Sequence, residues 1–397
     1  MKETLNLTVM YIRNWLIAVL LLYVMQAPAQ HKQAAADTSL YTPLIPVSKQ
    51  SLLNNVDVIA NMRFGFRNEF DKGAYQDSRF VNEQFRLEIK GKVSDKLFFR
   101  FRDRYTRDPE TQSVDNISRS TDLAFVRFDP NEKWKIYAGK LCADWGGYEF
   151  DANPIDIYEY SDIIEYADNF LSGAGVGFLP TPSNEFTFQL LNSRTKTFKE
   201  LYDTIPGISE AKFPFAAVLS WRGKFWDDRF QTIWSYSLFK EATHTYMNYF
   251  AFGNQLQLKR FRLQYDFKLS LENLDRKLLV SGWTPDHKPA QDVKYMSHWL
   301  SADLQVSRLV HLAFTGMVDL AYWNGNPDPA KDKHLRTAWG YIPGVEVYPL
   351  KRVNLKVYGN MVGRVYRYTD YARSALGLVN DDTYRFTVGI VTPLQVL

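Results

Sequence analysis

From about residue 56 the chain alternates apolar and polar side chains one for one. The clearest run is Phe261 to Glu272: Phe261, Leu263, Tyr265, Phe267, Leu269 and Leu271 fall on one face, and Arg262, Gln264, Asp266, Lys268, Ser270 and Glu272 on the other. A period of two belongs to an extended strand, whose successive side chains point to opposite sides. Such a run, with one wholly apolar and one wholly polar face, is long for a soluble sheet and suits a tilted strand crossing a bilayer. Phe85 to Lys90 repeats it, with Phe85, Leu87 and Ile89 set against Arg86, Glu88 and Lys90; in Tyr384 to Ile390, Tyr384, Phe386, Val388 and Ile390 alternate with Arg385, Thr387 and Gly389. Followed along the chain, the alternation predicts about sixteen strands.

The connections alternate as well. Arg67 to Arg79, Arg107 to Ser120, Ala143 to Leu171, Ser193 to Lys212, Asn273 to Asp292, Trp323 to Arg336 and Thr369 to Asp382 are long. Gly91 to Asp95, Asp129 to Lys133, Pro180 to Glu185, Arg222 to Arg229, Ser307-Arg308 and Pro349 to Arg352 are short, and only Lys240 to His244 breaks the rule. A membrane barrel has short turns on its periplasmic side and long loops outside, whereas a sandwich or propeller has no reason for this asymmetry. The expected fold is therefore all-β, a transmembrane antiparallel β-barrel of about 16 strands forming one domain from 56 to 397.

The start of the chain fits that compartment. Lys2 and Arg13 precede the apolar run Trp15 to Met25, and Ala27-Pro28-Ala29 is a small-x-small cleavage signal, so residues 1–29 read as a signal peptide. Residues 30–55 carry Gln, Ala, Pro and Ser with little alternation and read as a periplasmic leader. No later apolar stretch is long enough for a membrane helix. The lone Cys142 builds no intrachain disulfide. Removing Lys2, Arg13 and Glu3 with the signal lowers the net charge from +4 to +3, which gives no reason to expect nucleic acid as a partner. The 15% aromatic content instead suits the girdles of a barrel in outer-membrane lipid.

Charges on the polar faces are the candidate chemistry. If Leu97, Phe99, Phe101 and Tyr105 face lipid, Arg100, Arg102 and Arg104 stack inside the lumen, because a basic charge on the lipid face near the midplane costs about 2 to 4 kcal/mol. Arg86, Lys90, Arg127, Arg262, Lys268, Lys356 and Arg385 share the polar face in the same register, with fewer acids: Glu88, Asp266, Glu272, Asp303 and Asp319. Fixed positive charge along a narrow pore raises local anion concentration. The plainer role for each arginine is to solvate the wall and pair with an acid. The longest loop, Ala143 to Leu171, holds Asp144, Glu149, Asp151, Asp156, Glu159, Asp162, Glu165 and Asp168 and no Lys or Arg. Folded inward it would set a transverse field against the basic wall; left outside it would be an acidic rim. No EF-hand spacing, HExxH, GxSxG, Walker loop or GxGxxG after a strand is present, so neither a metal nor a cofactor is expected. Ser297 with His298, and Asp319 with His311, are the pairs that would serve a hydrolase on a closed barrel.

The stretch Leu123 to Tyr148, with Trp134-Lys135-Ile136-Tyr137-Ala138-Gly139-Lys140 after a tight turn, resembles a hairpin of the phosphate-selective porin O and P family as it occurs in Bacteroidetes. The resemblance implies a homotrimeric, sixteen-strand diffusion channel in the outer membrane of a Gram-negative bacterium, with the third external loop narrowing the pore. Its loop is acidic here, whereas the family name rests on basic constrictions. The reading is thus a passive pore for small polar or anionic solutes, phosphate among them; the rivals are a barrel hydrolase and a non-conducting, envelope or glycan-binding β protein.

Overall fold

The computed structural model describes residues 55–106, 113–284, 288–328, 333–350 and 352–396. The expected signal peptide and all of the expected leader except Asn55 lie outside them. The strands are β1 Val56–Asp71, β2 Ala74–Ser94, β3 Leu97–Arg104, β4 Thr121–Asn131, β5 Trp134–Cys142, β6 Phe170–Thr181, β7 Asn184–Asn192 and β8 Glu210–Phe225. They continue as β9 Phe230–Ala242, β10 Thr245–Gln257, β11 Phe261–Leu274, β12 Gln291–Gln305, β13 Val310–Trp323, β14 His334–Val347, β15 Lys356–Tyr368 and β16 Asp381–Gln395. Each pairs antiparallel with its neighbours, and β1 with β16 closes the barrel. Closure leaves no edge with unpaired backbone groups, which hydrocarbon would not tolerate.

Burial is inverted relative to a soluble protein. On β11 Asp266 and Lys268 are 0% exposed and Ser270 is also buried, while Tyr265 and Leu271 on the alternate face are 37% exposed. The polar faces point into the barrel and the apolar faces out, as the alternation predicted. A bulge between Arg63 and Phe64 passes over Glu83 in β2 and leaves its carboxylate 2.7 Å from both Arg63 and Arg67.

The predicted long loop at 67–79 does not form. β1 and β2 run on to a two-residue turn at Lys72-Gly73, both in the left-handed region (φ 50° and 79°), where glycine carries no penalty. Polarity there marks strands extending beyond the membrane, and composition alone does not separate such strands from loops. The exception near Lys240 to His244 is real: β9 and β10 meet in a tight turn at Thr243-His244.

Candidate functional site

The loop between β5 and β6 folds into the barrel, and the wall it lies on has polar partners placed for it. Gly147 brings its backbone against Asp266 of β11 so closely that a Cβ would sit 2.2 Å from Oδ1. The freed approach lets the Tyr148 and Glu149 N–H groups donate to the two Asp266 oxygens at 2.9 and 2.8 Å. Glu149 in turn accepts the Ser161 N–H and hydroxyl and pairs with Lys268. Farther along, Arg63 donates to the Ile155 and Ile157 carbonyls at 3.0 and 2.6 Å, and Asn153 Nδ2 donates to Asn61. Asp162 pairs with Arg336 and Arg364, and Arg364 also reaches Asp319 at 3.1 Å.

Apolar contacts complete the seat. Tyr148 and Ile157 pack on inward-facing Ile233, Trp299, Met317, Ile342 and Val362. Burying side chains of this kind is worth roughly 1.5 to 3 kcal/mol each. These inward apolar residues break the polar alternation because the loop, not water, covers them.

The remaining loop acids are used in the same way. Asp151 pairs with Arg222, Asp156 with Lys356 at 2.8 Å, and Glu159 with Arg385 at 3.1 Å. Asp168 accepts the Thr195 N–H and hydroxyl. Glu165 alone of the predicted acids makes no ion pair among the described residues. It is exposed to the lumen, where enclosure by the surrounding barrel, with Glu159 nearby, pushes its carboxyl above the ordinary range.

Facing this wall is a cavity of about 3530 Å³, lined from Lys196 at the loop end to Arg260 and Arg308 at the turn end. Its far side is β2 to β4, and β3 lies eight strands round the ring from β11. There Arg86, Arg102 and Arg104 surround one fully buried carboxylate, Asp122, at 3.1, 3.3 and 2.7 Å. Three guanidiniums on one carboxylate leave two positive charges in excess. Arg86 is 3% exposed and its Nη1 has no hydrogen-bond partner among the described residues. Arg100 lines the same cavity and pairs with Glu88.

A model of the phosphate-selective porin O and P family matches residues 56–390. The chain belongs to that family. Solved structures of similar shape include the outer-membrane channel DcaP of Acinetobacter baumannii, at 8% identity and TM-score 0.60, covering 85% of this chain and 96% of that one. The anion-selective porin from Comamonas acidovorans follows at 11%, TM-score 0.56, covering 85% and 98%. OmpF of Salmonella typhi in complex with daunomycin stands at 14%, TM-score 0.56, covering 84% and 97%. No curated protein matches the sequence. The porin is a channel for small solutes in the outer membrane of a Gram-negative bacterium.

Of the porin's predicted basic residues, Arg86, Arg100, Arg102, Arg104 and Arg262 line the cavity. Lys356 also lines it while pairing with Asp156 of the loop, whereas Lys268 and Arg385 face inward and hold the loop. Arg127 stands outside the cavity lining, paired with Asp129 at 2.9 Å and over the Phe98 ring. Sequence reasoning passed over Asp122, Arg63, Arg222, Arg336 and Arg364. Arg63 and Arg364 occupy the polar phase of their strands, a signal the same alternation carries. Asp122 lies at the start of β4 before the alternation begins, and nothing local marks it.

The hydrolase pairs do not assemble. Ser297 donates to Asp319 at 2.5 Å inside the barrel, but His298 points outward, bonded to Tyr265 at 2.8 Å, and His311 lies against Asp303. Among the described residues no group of three His, Cys, Asp or Glu side chains could hold a metal ion.

Proposed function

We propose that this porin passes small polar solutes passively with a preference for anions, inorganic phosphate among them, and that it is not an enzyme. The observation that carries the reading is the unbalanced set of Arg86, Arg102 and Arg104 around Asp122 at the cavity wall, with Arg100 and Arg262 lining the same path. Excess charge held at a low-dielectric wall raises the concentration of counter-ions in the narrow water beside it. Arginine also presents a rigid fork that matches oxyanions better than a point charge. Glu165, across the lumen, tempers the preference and gives the water between a transverse field. The likeness to a porin described as anion-selective is in keeping with this.

The same reading includes removal of residues 1–29 as a signal peptide, residues 30–55 as a periplasmic leader, a Bacteroidetes-type source and a homotrimer. For the last, the trimer form of OmpT of Vibrio cholerae offers support at TM-score 0.51.

The test is the reversal potential in planar bilayers under a salt gradient. R102Q/R104Q leaves Arg86 and Asp122 as a neutral pair, so the wild-type channel is expected to reverse toward the anion potential and the variant close to zero. An unchanged reversal potential in a variant of normal conductance would remove the ladder from the conduction path.

A further inference from the structure

The outer face of β9 to β12 carries two lysines at its extracellular end. On most strands the outward positions are apolar, as in Leu312, Phe314, Val318 and Leu320 of β13. Several arginines at the extracellular rim have acid partners: Arg79 has Asp77 and Glu69, Arg367 has Asp382, and Arg373 has Asp370. Lys240 on β9 and Lys294 on β12 differ. Each lies over a tyrosine ring, Lys240 at 5.9 Å from Tyr246 and Lys294 at 3.9 Å from Tyr322, and neither makes an ion pair with a carboxylate among the described residues.

The register puts both on the outward face at the extracellular end. Lys294 is in line with Leu271, Asn248 and Leu238, and Lys240 is one outward position above Leu238. Three strand spacings, about 14 Å, and one outward step of about 7 Å along the strand separate them. Between them Asn248 accepts the Tyr236 hydroxyl at 2.8 Å, which leaves its amide nitrogen to donate outward. One outward step toward the midplane, Phe250, Leu269 and Met296 form an apolar row. An exposed acid of this face, Asp292, lies two residues before Lys294.

Two cations propped on aromatic rings directly above a greasy wall make a headgroup site above an acyl-chain site. We propose that this face of β9 to β13 docks a phosphorylated glycolipid of the outer leaflet, a lipopolysaccharide, with its phosphates at Lys240 and Lys294 and its acyl chains against Phe250, Leu269 and Met296. The side of the barrel selects the lipid. The patch lies at the end bearing the long loops, which faces the leaflet where Gram-negative bacteria keep their phosphorylated glycolipid. The site is separate from the lumen and serves anchorage or folding of the barrel rather than conduction.

The experiment titrates the full mature porin, stripped of lipid in detergent, with bisphosphorylated lipid A, dephosphorylated lipid A or phosphatidylglycerol, and reads the thermal shift. Wild type is expected to be stabilised by the bisphosphorylated lipid. At roughly fivefold to tenfold per headgroup-level lysine, K240Q/K294Q should lose about thirtyfold or more in apparent affinity, and K294Q alone about fivefold. Unchanged single-channel conductance shows that the variants are folded; should the double variant fail to fold, the single one decides. Affinity within about twofold of wild type in the folded variant overturns the proposal. Equal binding of the dephosphorylated lipid overturns the role of phosphate, and equal binding of phosphatidylglycerol overturns the glycolipid.

Discussion

On the wall formed by β11 to β16, five basic side chains have loop acids within reach: Lys268 has Glu149, Arg336 and Arg364 have Asp162, Lys356 has Asp156, and Arg385 has Glu159. Across the lumen Arg86, Arg102 and Arg104 have one carboxylate among them. The residue types are the same and their work is not. Matched and desolvated charges are costly to unpair, so they hold a structure in place; unmatched charges beside water keep their field and act on whatever passes. The comparison shows that a pore-facing arginine is functional by its balance of partners and not by its direction alone.

Breaking the matched wall should have the largest effect. Arg364→Met leaves Asp162 and Asp319 facing each other without their shared cation, and losing one partner of a buried pair costs about 3 to 5 kcal/mol. The expected outcome is a released loop, seen as a higher and noisier single-channel conductance and a lower melting temperature. Gly147→Ala attacks the same wall more gently, since its Cβ must displace Asp266. Overpacking of this kind costs about 1 to 3 kcal/mol, and melting in detergent would register it.

Weakening the unmatched wall sharpens the contrast. Arg104→Gln removes one of the two excess charges, so it should move the reversal potential part of the way that R102Q/R104Q does, with stability almost unchanged. The smallest effect belongs to Glu165. Its raised pKa means that on acidification it becomes neutral before an ordinary carboxylate, which removes the negative charge opposing the ladder. Anion preference should therefore rise as pH falls through that range, and Glu165→Gln should show the higher preference already at neutral pH with no such step. A variant that keeps the step assigns it to another group.

Much of the architecture was readable in the chain. Phe261 to Glu272 declared its two faces correctly, and the alternation of connection lengths marked the two ends of the barrel. The β1–β2 hairpin was misread, because the polar residues near its tip look like a loop when they are strands standing in water. Lys268 and Arg385, expected along the pore, hold the loop instead, and Lys356 does both, pairing with Asp156 while lining the cavity. Asp122, which sets the charge balance of the ladder, carried no local signal.

The sequence alone determined what one strand requires. A period of two sorts side chains between lipid and lumen, and the cost of a charge in hydrocarbon makes that sorting nearly obligatory. Only the tertiary structure decided which charges meet. Asp162 finds Arg364 across 202 positions of chain, and Asp266 caps a turn 117 and 118 positions away. Pairings of that kind follow from closure of the barrel and the path of the loop within it, and a periodicity that reports only the direction of each side chain holds no record of them.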